Sequence, residues 1–252
     1  MRLSTLPALA GLLAMAACSE QSPSVSEPAL VSLSDPNFSV SEAGVRNYRI
    51  TLENMTTGQV FSPGVIATHT KDATVWQQGQ PASEGIRLIA EDGDQSTAVA
   101  DLTVASGVFD VVDITTPTNR IGGLAPIPNP QMFEISARGN ANRLSLAVML
   151  ICTNDGFTGL SGVKLPGGSK PDVYEVGAWD AGSEQNNELF NQIVDPCGEA
   201  GPVPGGNDGN GRVATIGGVI VAHSGIQGRG DLTVASHGWQ FPVARITIQR
   251  IK

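Results

Sequence analysis

Leu144-Ser145-Leu146-Ala147-Val148-Met149-Leu150-Ile151-Cys152 is a nearly unbroken apolar run of strand length. Leu144, Leu146, Val148 and Leu150 lead it, and such a run predicts a central strand covered on both faces. Outward from it the signal becomes alternation. Tyr48, Ile50 and Leu52 alternate with Arg49, Thr51 and Glu53, so that strand buries one face. Phe133 and Ile135 begin another strand. In Val243–Ile251, Ile246, Ile248 and Arg250 share one face and Arg245, Thr247 and Gln249 the other. Pro242 suits the start of that last strand. One short helix is expected at Ser83–Glu91. Ser83 caps it, Glu84 sits in the first turn, and Ile86, Ile89 and Ala90 share a face, with Gly93 as the stop. Thirty glycines and sixteen prolines in a chain that is 40% hydrophobic point to many turns. Together these features predict an all-β, antiparallel β-sandwich with one short helix. Repeated units are absent, and residues 45–252 fit one such domain.

The first residues are expected to be an export signal. Arg2 gives a positive start, and Leu3 to Ala17 is an apolar run too short to span a bilayer. Met15-Ala16-Ala17-Cys18 resembles a bacterial lipobox, in which the cysteine is acylated and becomes the mature N-terminus. The alternative is an ordinary signal peptide cut near Ala17. Residues 1–17 thus read as a lipoprotein signal peptide, and 18–44 as the acylated Cys18 with a Ser-, Pro- and Glu-rich tether. As a coil, the tether spans roughly 30 Å. Two or more acyl chains hold a protein stably on a membrane. Ser19 after the cysteine implies the outer membrane, with the domain facing the periplasm or the surface.

Export simplifies the cysteines. Removing Cys18 leaves Cys152 and Cys197, which an oxidising compartment favours pairing. The alternative is two separate buried thiols. The chain is acidic, with 24 Asp and Glu against 15 Lys and Arg and a net charge of −9. This argues against nucleic acid and anionic lipid as direct electrostatic partners.

Two short segments place carboxylates beside glycine just past apolar runs. They are Thr153-Asn154-Asp155-Gly156-Phe157-Thr158-Gly159-Leu160 and Trp179-Asp180-Ala181-Gly182-Ser183-Glu184. Acidic loops at the end of a sandwich are how hard cations are caught, with carbonyls completing six to eight oxygen ligands. These segments, with Val75-Trp76, Ala82-Ser83-Glu84-Gly85-Ile86, Ala90-Glu91-Asp92-Gly93 and Pro242-Val243-Ala244-Arg245-Ile246-Thr247-Ile248, resemble the spondin N-terminal domain family. The match runs in order across residues 45–252. The resemblance implies a sandwich similar to calcium-dependent membrane-binding domains of signalling proteins. It also implies a calcium ion held by three acids at one end. By motif these are Asp155, Asp180 and Glu184, the last standing where the animal pattern usually has Asp. The affinity expected is that of extracellular modules, about 0.1–1 mM. Animal relatives carry thrombospondin-type repeats, which this chain lacks, so their matrix biology does not transfer.

Other features carry weaker signals. Asp92-Gly93-Asp94 lacks the remaining ligands of an EF-hand and reads as a turn, as does Asn207-Asp208-Gly209-Asn210. Arg229-Gly230-Asp231 reads as a glycine turn. Glu84 and Glu91 read as solvent contacts on one helix. His69, His223 and His237 share no compact ligand spacing. There is no nucleophile elbow, phosphate-binding glycine loop or dinucleotide fingerprint. The expectation is therefore an envelope-anchored calcium-binding adhesion or interaction module with a protein or glycan partner, and not an enzyme. The alternatives are an envelope hydrolase using a histidine or metal site, and a purely structural lipoprotein.

Overall fold

A computed structural model describes residues 44–118, 128–194, 197 and 212–251. The signal segment, Cys18, the tether up to residue 43 and the Asn207–Asn210 turn lie outside the described residues.

The strands form two antiparallel sheets. The smaller holds β1 (Val45–Asn54), β4 (Gln131–Arg138), β7 (Asp172–Val176) and β10 (Ala244–Arg250), in the order β4-β1-β10-β7. The larger holds β2 (Phe61–His69), β3 (Val108–Ile114), β5 (Arg143–Leu150), β6 (Gly156–Lys164), β8 (Ala178–Asp180) and β9 (Val221–Ala222), in the order β3-β2-β5-β6-β8-β9. Alternation sets the register of the smaller sheet. Ile50 stands opposite Ile248 on one side and Phe133 on the other, and Leu52 opposite Ile246. A one-residue slip would turn every one of these side chains to solvent.

β5 is central and buried along nearly its whole length, as the unbroken apolar run predicts. Leu144, Leu146, Val148 and Leu150 pack between the sheets with Tyr48, Ile50, Leu52, Ile246 and Ile248. Ala147 and Met149 face the other way, into a second cluster with Val65, Ala67, Trp76, Ile86 and Ile89. The larger sheet is therefore covered on its outer face by helices and loops. A buried aliphatic side chain contributes roughly 1.5–3 kcal/mol, so these two layers supply the main driving force for folding.

The expected helix is α1 (Glu84–Asp92). The Ser83 hydroxyl accepts from the Ile86 amide, and Gly93 ends the helix at φ 66°, a left-handed position that glycine adopts without strain. The expectation of a single helix is corrected. α2 (Ser96–Val104) and α3 (Val234–His237) are also present, with a 3-10 turn at Phe190–Gln192. α2 has no side-chain cap and buries fully only Ala98, so its sequence carries little helical signal. Its threonines and valines also favour strands. α3 is a single turn, too short to show a period.

Candidate metal centre

β5 runs into the turn that carries Asp155, and β6 starts at Gly156. Gly156 pairs with Asp180, and Phe157 with Trp179 on β8. This pairing brings the two acidic segments to one rim of the larger sheet. The Ala181 amide donates to the Asp155 carbonyl at 3.0 Å. Gly182, at φ 72°, then turns the chain so tightly that a Cβ there would stand 2.5 Å from the Val219 carbonyl. Only glycine fits that turn.

Asp155 is fully buried. Its Oδ2 accepts from the amides of Ser183 at 2.7 Å and Glu184 at 2.9 Å, and from the Ser183 hydroxyl at 3.2 Å. Its Oδ1 is buried without any hydrogen-bond partner. Asp180 is half-buried; Oδ1 accepts from the Gly182 amide at 2.7 Å and Oδ2 from the Asn186 side chain. Glu184 is 4% exposed. Its Oε1 lies 2.9 Å from Arg212 Nε, but the N–H is not aimed at it. The contact is an ion pair without a hydrogen bond, and both Glu184 oxygens remain unsatisfied.

Electrostatics reflects this crowding. Burial, and then the charge of Asp180, push Asp155 up to about 6, against the donated amides. Burial pushes Glu184 up to about 8, with Arg212 pulling against it and Glu91 and Asp155 reinforcing it. Charged carboxylates are disfavoured where water is excluded and like charges are close.

Arg212 is tied to the rim by a short pairing in which the Gln185 amide donates to Val213 and the Thr215 amide to Ser183, both at 2.8 Å. Its guanidinium also reaches the end of α1, at Glu91 Oε2 (3.2 Å), the Glu91 carbonyl (3.2 Å) and the Asp92 carboxylate. Glu91 in turn pairs with Arg87. Glu91 is buried rather than a solvent contact, which corrects the sequence reading, whereas Glu84 is exposed. Asp92-Gly93-Asp94 is the turn expected, with Asp92 held by Arg212.

Cys152 and Cys197 form a disulfide, which closes a loop containing all three rim acids. Such closure stabilises by about 4 kcal/mol in the chain-entropy model. A second clasp was not legible in the sequence. Glu188, at φ 61°, accepts from the Gln227 and Arg229 amides at 2.6 and 2.7 Å. Its own amide donates to Asn154 Oδ1 at 3.0 Å. The Arg229-Gly230-Asp231 turn is thereby held against the rim, and Asp231 accepts from the Phe190 amide at 3.0 Å. No spacing rule announces a glutamate that binds a loop forty residues away.

The histidines are dispersed. Among the described residues they do not form a three-histidine group at metal-ligating distance. His69 donates from Nδ1 to the Thr70 carbonyl at 2.8 Å, which leaves Nε2 to accept from the Ser145 hydroxyl at 2.9 Å. That hydroxyl also accepts from the Gly162 amide at 2.9 Å. The order hydroxyl, imidazole, carbonyl is that of a nucleophile, base and orienting group. Here it lies where β-bulges interrupt β2 and β5–β6, with both side chains almost wholly covered and their hydrogen bonds complete. His223 packs its ring edge against Trp239, and Gly225 donates to its Nδ1. His237 accepts from the Thr233 amide at Nδ1, so its other nitrogen carries the proton. It shares a 4.8 Å neighbourhood with the disulfide sulfurs.

Calcium fits the donor chemistry of the rim. Asp155 Oδ1 and the Glu184 carboxylate are hard oxygens without a hydrogen bond, and neighbouring amides already fix the backbone. The three carboxylates do not offer oxygens all within 4.8 Å of one another. Ligands of one calcium ion at 2.3–2.6 Å lie within about 5 Å of each other, so one side chain must turn on binding. An open cleft of about 540 Å³ adjoins Asp180 and Glu184, walled in part by Gln185, Asn186, Thr215 and Arg229.

No curated protein matches the chain. The family model described as Spondin_N matches residues 49–190, more than half of the sequence, and that span contains Asp155, Asp180 and Glu184 but ends before Arg212. The chain belongs to the Spondin_N family.

Proposed function

We propose that this protein is an envelope-anchored, calcium-binding interaction module and not an enzyme. Asp155, Asp180 and Glu184 hold the ion, and the rim beside it meets a protein or glycan partner. The observation that carries this reading is the set of buried, unsatisfied oxygens on Asp155 and Glu184. A buried carboxylate without hydrogen bonds is costly, and a divalent cation relieves that cost for several oxygens at once. The cation's role is local. It joins the three side chains across turns whose backbones are already hydrogen-bonded to each other, and so stiffens the wall of the adjoining cleft.

Titration calorimetry on the purified mature chain tests the metal. Calcium is expected to bind with a Kd of about 0.1–1 mM, and Asp180→Ala to abolish the heat. Identical flat traces would sink the reading. The anchor is tested separately. Cys18→Ser is expected to remove acylation and release the protein from the membrane fraction, because the acyl chains are the proposed hold.

A further inference from the structure

We propose that Arg212 is the internal counter-cation of the rim: with no metal bound, its guanidinium is the positive partner that meets Glu184 whenever that side chain is ionised, and it yields the carboxylate to calcium. The inference rests on the calcium reading and goes beyond it, because Arg212 lies outside the span matched by the family model.

Three observations carry it. First, Glu184 is almost fully covered, and Arg212 is the cation that ion-pairs with it among the described residues. A buried carboxylate requires a positive partner or gives up its charge. Second, the contact is built to be surrendered. Arg212 Nε approaches Glu184 Oε1 at 2.9 Å without a hydrogen bond. The two terminal nitrogens are meanwhile committed to Glu91 and Asp92 on α1. Losing Glu184 therefore leaves the guanidinium paired twice over, and exchange costs only the misaligned contact. Third, both partners are held in reach. The pairing of Val213 and Thr215 with Gln185 and Ser183 keeps Arg212 beside Glu184. The two amides bonded to Asp155 Oδ2 keep the Glu184 backbone beside Asp155.

The geometry explains how three acids share one rim in a metal-free protein, and it gives the affinity a structural limit. Calcium must compete with an arginine that is already there, so the site binds weakly and reports concentration over a range where the ion is abundant. A ligand shifts such an equilibrium only by its differential interaction with the two states.

The test uses the mature chain and two variants, Arg212→Gln and Arg212→Gln/Glu184→Gln. Without calcium, Arg212→Gln is expected to lower Tm by several degrees, and adding Glu184→Gln to recover a large part of the loss. A purely structural arginine, serving only Glu91 and Asp92, predicts no recovery, and that result overturns the counter-cation role. At one fixed pH, calcium is expected to bind Arg212→Gln about tenfold tighter than the parent chain. Equal or weaker binding overturns the competition. If calcium binds neither chain, the calcium reading itself fails, and with it the exchange; the recovery experiment still decides whether Arg212 neutralises Glu184.

Discussion

The two ends of β5 both bury polar groups and treat them in opposite ways. At its start, His69, Ser145, Thr70 and Gly162 form a closed set in which each donor meets an acceptor. At its far end, Asp155 and Glu184 are as deeply buried, yet three of their four oxygens lack a hydrogen bond. A satisfied buried network rigidifies a fold, and an unsatisfied one is held at a cost that the rest of the fold must offset. The contrast teaches that burial alone does not mark a site. The closed end is a staple, and the open end has valences left for something else.

The largest expected effect comes from removing what holds the open end in place. Cys152→Ala/Cys197→Ala is expected to cost about 4 kcal/mol, read from urea unfolding, because the disulfide closes the loop that contains all three acids. A loss well below 1 kcal/mol would mean that the Glu188 and Asn154 clasp suffices by itself. Ser145→Ala should come next, at about 2 kcal/mol, because it strands a buried imidazole nitrogen and the Gly162 amide. Calcium affinity should not change in that variant. If it did, the two ends would be coupled along β5 and the comparison would break.

The closed and open ends also differ in how far the sequence announced them. The apolar run of β5 and the alternation of β1 and β10 told the sandwich, because period and burial follow directly from strand geometry. Ser83 and Gly93 told the ends of α1 for the same local reason. The two acidic segments were visible as carboxylate-glycine turns, and the strand pairing of Gly156 with Asp180 brought them together. Arg212 and Glu188 were not visible. Each acts across tens of residues through one side chain, which leaves no periodic trace. The His69–Ser145 pair was hidden likewise, since bulges rather than regular register bring those side chains together.

Acidity should separate the ends next, by on the order of 1 kcal/mol between about pH 7 and pH 8. Glu184 has a native value near 8 against an unfolded value of 4.5, so the native state holds the proton that the unfolded chain has lost. Stability without calcium therefore falls as pH rises towards about 8. His223 and His237 work in the other direction, since burial lowers both and the unfolded chain binds the proton. Their contribution rises with pH but is complete once their unfolded value of 6.5 is passed. Glu84 and Asp94, lowered chiefly by side-chain hydrogen bonds from Arg87 and Ser96, act only in the acid range. Above pH 7 the falling slope belongs to Glu184. Chemical unfolding at a series of pH values should show it in the parent chain and lose it in Glu184→Gln. Saturating calcium should also abolish it, because the bound ion holds the carboxylate ionised.

The smallest expected change in stability is at the deepest acid. Asp155→Asn keeps an oxygen that accepts from the Ser183 and Glu184 amides, so the turn retains its hydrogen bonds. It replaces the orphan oxygen with an amide nitrogen and removes a charge whose burial, next to Asp180, raises its cost. Without calcium the variant should therefore melt at or slightly above the parent temperature, although a fully buried residue has been changed. The new NH2 group still needs an acceptor, and a buried donor left without one would offset part of the gain. With calcium the variant should show no upward shift in Tm, because a neutral amide is a poor replacement for a charged ligand. A marked loss of stability in the metal-free variant would place Asp155 with Ser145, as part of a network completed by the protein alone.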